Sequence, residues 1–149
     1  MNEMDKLTEK VRKAIRSNGW KILDDHSDEE QLTFEAGDEW FIYIIKNNGK
    51  EIDSICLLYR VLEFGECFIP DMYIFAGMVN NRHTCAHVAV HSKRFEPDAE
   101  SNLFGFEFHA PKAGCGDLKE ILKAGVGQLV AIAEDFDETW AAMHPQDEE

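Results

Sequence analysis

Runs of alternating apolar residues fill the middle of this chain, from Trp20 to about His109, and they restrict the fold more than any other feature. In "NLFGFEFHA" three phenylalanines, Phe104, Phe106 and Phe108, occupy alternate positions. Because successive side chains of a strand point to opposite faces of a sheet, this period of two predicts strands with one buried face. The same alternation in "QLTFEAG" is carried by Leu32, Phe34 and Ala36. Further strand-like runs are "WKILDD", "EWFIYIIKNNGK", "SICLLYRVLEF" and "TCAHVAVHSKRF".

One of these runs has six consecutive apolar residues, from Trp40 to Ile45. A strand with one face in water would place polar residues at every second position. Apolar residues on both sides are typical of a central strand that is covered on both faces. We therefore expect this segment to be a central strand of the sheet that is covered on both of its faces.

Helical periodicity marks both ends of the chain. Apolar residues recur at steps of three and four from Met4 to Ile15, and Gly19 supplies a stop signal. Asp117 and Glu120 form an N-terminal capping pair for a long amphipathic helix near the other end. The predicted buried stripe of that helix consists of Leu118, Leu122, Leu129, Ala133, Phe136, Trp140 and Met143.

Two glycines, Gly125 and Gly127, interrupt the predicted final helix. Each costs about 1 kcal/mol relative to alanine in a helix interior. They mark either a break in the helix or a place where it packs closely on the sheet.

The segment from residue 70 to residue 79 has two interpretations. Proline is preferred at the start of a helix and poorly tolerated in a central strand, so Pro70 favours a short helix. The predicted buried face of that helix consists of Tyr73, Ile74, Met78 and Val79. The alternative is a strand with one face made of Met72, Ile74, Ala76 and Met78.

The order of these elements predicts an α+β fold, in which an antiparallel β-sheet carries an N-terminal helix and a long C-terminal helix. The length of 149 residues suits one domain spanning residues 1–149. We expect residues 144–149, an acidic segment, to form a frayed tail.

The formal charge of -14 is unevenly placed, because residues 1–21 carry a net +3. An acidic surface repels phosphate backbones and anionic lipid head groups. Nucleic acids and membranes are therefore not expected as partners, whereas a basic protein partner fits. An acidic surface that serves only solubility is the alternative.

The sequence also indicates a compartment. No apolar run approaches the roughly 20 residues that cross a bilayer, and the charged start "MNEMDKLTEKVRK" lacks a signal-peptide pattern. The four cysteines, which form no CxxC pair, are Cys56, Cys67, Cys85 and Cys115. This spacing is typical of a reducing environment, so we expect a cytoplasmic protein.

The stretch "HTCAHVAVH" contains three histidines, His83, His87 and His91, at intervals of four residues. On a helix such neighbours lie about 5–6 Å apart and could share a metal ion. On a strand they lie about 13 Å apart, which is too far. The period-two apolar face of this stretch and its valines favour a strand.

A smaller candidate metal site survives the strand interpretation. Cys85 and His87 are neighbours on one strand face, and a paired following strand could add His109 or Glu107. The candidate ligands are therefore Cys85, His87 and His109, and the alternative is the hydrated face of a sheet. No catalytic residue and no cofactor are predicted.

The order of elements resembles that of the YbjN-like proteins, which share the fold of type III secretion chaperones. The resemblance rests on a helix that ends at "RSNGW", a three-strand meander, a middle segment running into "VNNRHTCAHVAV", a hairpin and a long final helix. It implies a small, acidic, cytoplasmic, dimeric and non-enzymatic protein, and the chaperones bind extended client segments. The additional run "SICLLYRVLEF" departs from the simplest version of this pattern.

Three functional hypotheses follow. The first is a non-enzymatic cytoplasmic protein-binding module, chaperone-like or regulatory, that works as a homodimer and selects basic clients by charge. The second is an immunity or inhibitor protein that masks a basic toxin or nuclease. The third is a metal-binding protein or enzyme that uses Cys85, His87 and His109.

Overall fold

The computed structural model describes residues 3–26, 31–47, 52–96, 98–111 and 117–143. Cys115 and the predicted tail at 144–149 lie outside these ranges. The elements within them are α1 (Glu3–Ser17), β1 (Lys21–His26), β2 (Gln31–Ala36), β3 (Glu39–Asn47), β4 (Ile52–Glu63), α2 (Ile69–Asn80), β5 (Ala86–His91), β6 (Leu103–Pro111) and α3 (Leu118–Met143). A short 3-10 turn, Glu66–Phe68, precedes α2.

The strands form one antiparallel sheet in the order β1-β2-β3-β4-β6-β5. The first four strands follow one another as a meander. The last strand in sequence, β6, then lies between β4 and β5. The predicted α+β fold with its antiparallel sheet is confirmed.

The core lies on the side of the sheet that carries the helices. The predicted alternation is confirmed in β2, whose apolar residues Leu32, Phe34 and Ala36 are all buried. A row of aromatic rings crosses this core face with neighbouring ring centroids 4.7–6.3 Å apart, and it consists of Trp20, Phe34, Phe41, Tyr59 and Phe106. Aromatic pairs at such separations add to the stability that area burial provides.

The opposite side of the sheet, here called the open face, carries no helix among the described elements. It is marked by one row of paired residues across five strands, Thr33, Ile42, Leu58, Glu107 and His87. All five are half-buried. The open face therefore presents a mixed polar and apolar surface.

Helix α1 packs through the stripe that the sequence predicts. Leu7, Val11, Ala14 and Ile15 are buried. Gly19 has φ +79°, a left-handed conformation that favours glycine just after a helix end. The stop signal that glycine provides is confirmed.

The segment at 70–79 is a helix, but its predicted buried face is wrong. Tyr73, Ile74 and Met78 are exposed, and only Val79 of the predicted set is buried. The residues that pack inward are Ile69, Met72, Phe75, Ala76 and Val79. Because the segment is apolar around most of its circumference, periodicity alone does not identify the buried side.

The end of α2 protects an edge of the sheet. The Asn80 side chain accepts a hydrogen bond from the Val88 backbone N–H at 2.6 Å and donates one to the Val88 carbonyl at 3.1 Å. Strand β5 is an edge strand, so these groups would otherwise lack a neighbouring strand. The side-chain amide of Asn80 thus makes the two backbone hydrogen bonds that a neighbouring strand would otherwise make with Val88.

Helix α3 is continuous through both glycines. Its start is capped as predicted, since the Glu120 backbone N–H donates to Asp117 Oδ1 at 3.3 Å. Gly125 is buried against Phe108 of β6, so of the two interpretations close packing on the sheet is correct at Gly125. Met143, predicted as part of the buried stripe, is 57% exposed because the stripe ends at Trp140.

None of the helices in the described ranges has the length and apolar character that a bilayer crossing requires.

Candidate functional site

The stretch "HTCAHVAVH" leads from a turn into an edge strand. The predicted strand is confirmed over Ala86–His91, and His83 and Cys85 precede it. Each of the three histidines faces a different carboxylate, and the pairs are His83–Asp135 at 2.8 Å, His87–Glu107 at 3.6 Å and His91–Glu96 at 2.9 Å. The three side chains are thus directed to separate partners.

Asp135 of α3 holds the turn before β5. Arg82 donates to its two carboxylate oxygens at 2.8 and 3.0 Å, and His83 Nε2 lies 2.8 Å from Oδ2. These contacts, chiefly the hydrogen bonds from Arg82, lower the pKa of Asp135 to about 2. The cluster joins the α2–β5 turn to the final helix, so it has a role in the fold.

Four side chains on the open face form what we call the polar cluster: Cys56, His87, Glu107 and His109. Two cross-strand pairs create it, because Cys56 on β4 lies opposite His109 on β6, and Glu107 on β6 lies opposite His87 on β5. His109 Nε2 lies 2.9 Å from Glu107 Oε1 and 3.8 Å from Cys56 Sγ. The two imidazole rings stack at 5.4 Å with 14° between their planes.

The structure brings together two of the three predicted metal ligands. The rings of His87 and His109 stack on each other. Glu107, which the sequence analysis named as a further possible ligand, places Oε1 within 3.6 Å of Nε2 of His87 and within 2.9 Å of Nε2 of His109. Cys85 is exposed just before β5, and its Sγ lies 3.7 Å from Thr84 Oγ1. It does not belong to the group of described residues whose ligand atoms converge.

Cys56 is the member that sequence reasoning missed. Its neighbour His109 is 53 residues away, and the two meet only because β6 lies beside β4. The run "SICLLYR" gives no signal of that pairing. Sγ of Cys56, Nε2 of His109 and a carboxylate oxygen of Glu107 all lie within 4.8 Å of one another.

Strand β3 was expected to be covered on both faces, and the apolar part of the open face contradicts this expectation. Phe41 and Tyr43 are fully buried on the core face, but Trp40 is 64% exposed and Ile42 is half-buried. Among the described elements the helices all pack on the other side, so within these ranges β3 is covered by helices on one face. A depression of about 430 Å³ lies here, and its apolar lining includes Trp40, Ile42, Leu58 and Val61.

A second concavity, the aromatic pocket, opens on the helix side at the end of β4. Its volume is about 460 Å³. It is lined by Glu63, Phe64, Gly65, Phe68, Met72, Phe104, Phe136, Asp137 and Trp140. Five of these residues are aromatic and two are carboxylates, which combines apolar walls with negative charge.

A β-bulge shapes the approach to the aromatic pocket. The β4–β6 register shifts between Tyr59 and Leu62, and Arg60 has φ +52°, a left-handed conformation that is uncommon outside glycine. Arg60 Nη1 then reaches Asp137 Oδ2 at 2.8 Å. This ion pair between β4 and α3 fixes a carboxylate of the pocket lining in place.

Gly105 of β6 accommodates the same bulge on the open face. A Cβ at this position would lie 3.1 Å from Val61 Cγ2 and 3.3 Å from Val61 Cα. The residue that opposes the bulge must therefore be small. Gly105, which stands between Phe104 and Phe106, thus has a packing role.

Comparison with solved structures identifies the architecture. The chain aligns with the crystal structure of YbjN from E. coli, described as a proposed transcription regulator, at a TM-score of 0.65. The alignment covers 91% of this chain and 92% of YbjN. The chain has a YbjN-like fold. The resemblance inferred from the order of elements is thereby confirmed, and at 9% sequence identity it concerns the fold alone. No protein-family model matches the sequence, and neither does any curated protein.

Proposed function

We propose that this chain is a non-enzymatic cytoplasmic protein-binding module, chaperone-like or regulatory, that takes a basic side chain of a partner protein into the aromatic pocket. The observation that carries the proposal is the composition of that pocket, in which five aromatic rings accompany Glu63 and the Arg60-paired Asp137. Lysine and arginine combine an apolar stem with a cationic head, so they match both features.

The aromatic walls suit a cation as well as an apolar stem. Phe68 and Trp140 lie 5.9 Å apart between ring centroids, and Phe136 stacks on Trp140 at 6.1 Å. A cation over an aromatic face is attracted by about 0.5–1 kcal/mol at an exposed site and by more when it is desolvated. A volume of about 460 Å³ lies in the range of small-ligand pockets, about 300–1,000 Å³.

The net charge supports the same partner chemistry. The formal charge of -14 attracts a basic segment over a distance and speeds its association at low salt. Glu63 also lines a smaller depression beside the pocket, together with Glu66 and Lys93. A second basic residue in the partner would find a carboxylate there.

The pocket lining supports a binding role rather than a catalytic one. Among the described residues that form it, the titratable groups are Glu63 and Asp137, and Asp137 is bound to Arg60. Cys67 and Cys85, which are free thiols, are compatible with a reducing compartment.

We also propose that two copies pair through the apolar part of the open face. This pairing is supported by β3, whose apolar run is typical of a strand buried on both faces. In the structure, however, Trp40 of this run is exposed and Ile42 is half-buried. A two-fold dimer would cover this patch with the same patch of a second chain. The aromatic pocket lies on the helix side and would stay accessible.

The test uses a short synthetic peptide in which arginine and leucine alternate, with a control peptide in which citrulline replaces arginine. Binding is followed by amide chemical shifts and by titration at low and high salt. We expect saturable binding of the arginine peptide, with shifts centred on Phe68 and Trp140, and weaker binding at high salt.

Two matched pairs of variants locate the site. Glu63→Gln removes a charge from the pocket lining, and Glu138→Gln removes an exposed charge outside it. Phe68→Ala removes a pocket ring, and Phe95→Ala removes an exposed ring from a separate groove. We expect Glu63→Gln to weaken binding about two- to fivefold and Phe68→Ala about fivefold or more.

Equal effects in the two members of each pair would refute the pocket as the site. Binding of a folded basic protein without binding of the peptide would favour the inhibitor hypothesis instead.

A further inference from the structure

We propose that the polar cluster binds one Zn²⁺ ion per chain through Cys56 Sγ, His109 Nε2 and a carboxylate oxygen of Glu107. This site is separate from the aromatic pocket, since it lies on the open face of the sheet. The inference rests on the convergence of three different donor atoms within 4.8 Å of one another.

Two of the three donor separations are close to those of a tetrahedral zinc site, and the third, between Cys56 Sγ and the Glu107 carboxylate, is under 4.8 Å. With Zn–S of about 2.3 Å and Zn–N of about 2.0–2.1 Å, tetrahedral angles place a sulfur and a nitrogen ligand about 3.6 Å apart. The observed separation of Cys56 Sγ and His109 Nε2 is 3.8 Å. His109 Nε2 and Glu107 Oε1, now hydrogen-bonded at 2.9 Å, would need to separate to about 3.3 Å.

The same nitrogen of His109 faces both other ligands. Nε2 is the atom near Cys56 Sγ and also the atom near Glu107 Oε1. An ion placed between them would therefore replace both of these contacts. A thiolate, an imidazole and a carboxylate together suit zinc, which accepts sulfur, nitrogen and oxygen donors and prefers four ligands.

His87 lies where it can support the site. Its Nε2 is 3.6 Å from Glu107 Oε1, and its ring stacks on that of His109. A side chain that holds a ligating carboxylate orients it and tunes its affinity for the ion. Cys56 is fully buried, whereas 34% of the His109 side chain is exposed. A fourth ligand from solvent would therefore approach from the His109 side of the site.

A bound ion would link two strands that are distant in sequence. Cys56 belongs to β4, whereas Glu107 and His109 belong to β6. An ion that binds the folded chain and not the unfolded one stabilises the fold. At a free zinc concentration of 100 times Kd, we expect Tm to rise by about 5–10 °C.

The test is calorimetric titration of reduced, metal-free protein with Zn²⁺, together with metal analysis and thermal unfolding with and without the ion. Co²⁺ then replaces Zn²⁺ as a spectroscopic probe, because a thiolate ligand gives it a charge-transfer absorption. We expect one ion per chain and a cobalt–thiolate band that is lost in Cys56→Ala. Glu107→Gln keeps the shape of its side chain, and it should weaken binding at least about 100-fold with an unchanged circular dichroism spectrum.

Matched controls separate this site from other thiols. Cys85→Ser and Cys67→Ser should keep full affinity, and His87→Ala should lose about 10–100-fold, as expected for a supporting residue. A folded wild type that takes up no zinc would overturn the proposal. So would loss of the ion in Cys85→Ser with retention in Cys56→Ala, and so would unchanged binding in Glu107→Gln. If Cys56→Ala does not fold, Glu107→Gln and the cobalt band of the wild type decide.

Discussion

Replacing each of the two glycines of α3 by alanine should raise stability at Gly127 and should not raise it at Gly125. Both lie inside the same continuous helix, so both substitutions gain the same helix propensity, about 0.8–1.0 kcal/mol. Gly127 is exposed, and a Cβ there would meet nothing within 4 Å. Gly127→Ala should therefore raise the free energy of unfolding by about that amount.

At Gly125 the added methyl group has no room. Its Cβ would lie 2.7 Å from Phe108 Cδ2 and 3.0 Å from Leu57 Cδ1. Carbon atoms pack best at about 3.5–4.0 Å, so the contact is short by nearly 1 Å. Overpacking of a core costs about 1–3 kcal/mol, which exceeds the gain in propensity or cancels it. The expected net change for Gly125→Ala is a loss of up to about 2 kcal/mol.

Urea denaturation of the wild type and both variants measures these free energies. The difference between the two variants is the most informative quantity, because the propensity gain is common to both and cancels. We expect Gly125→Ala to be less stable than Gly127→Ala by about 1–3 kcal/mol. Equal stabilities, or a more stable Gly125→Ala, would show that helix α3 does not approach β6 as closely as the structure places it.

Two further predictions concern the acid range and the oligomer. The pKa of Asp135 in the folded chain, about 2, is below its ordinary value of 3.8. The contacts with Arg82 and His83 therefore stabilise the fold above pH 4, and this contribution is lost as the pH falls from about 4 to about 2. Asp135→Asn should cost about 1 kcal/mol at pH 7 and nothing below pH 2; an equal deficit at both pH values would contradict this reasoning. For the dimer, we expect sedimentation to give two copies for the wild type and for Phe95→Lys, but one for Trp40→Lys; a wild type that is monomeric at every concentration would refute the pairing.

The parts of the fold that could be predicted from the sequence are those in which apolar residues recur with the period of a helix or a strand. The buried stripe of α1 and the alternation of β2 follow from backbone geometry within a few residues, so they can be recognised without a partner. The buried face of α2 could not be predicted, because Ile74 and Met78 are as apolar as Met72 and Phe75. Which of them faces inward depends on the elements that α2 packs against.

In the polar cluster too, contacts between successive strands could be predicted from the sequence, whereas contacts between strands distant in the sequence could not. His87 and Glu107 could be placed together because their strands follow one another and pair as a hairpin would. Cys56 could not, since its position beside His109 depends on the insertion of β6 next to β4. The aromatic pocket is likewise formed by residues from separate elements, including Phe68 before α2 and Trp140 in α3.

The interior position of β6 has a consequence for synthesis on the ribosome. The meander of β1 to β4 can pair as it emerges, but the free edge of β4 has no neighbour until residues 103–111 are made. Strand β5 emerges earlier than β6 and has no strand to pair with, because among the described strands its neighbour is β6. The nascent chain therefore exposes two unsatisfied strand edges for the time that about 20 residues are added, and at about 5–20 residues per second this is about one to four seconds. A truncated chain that ends before β6 would keep both edges exposed and would be prone to self-association.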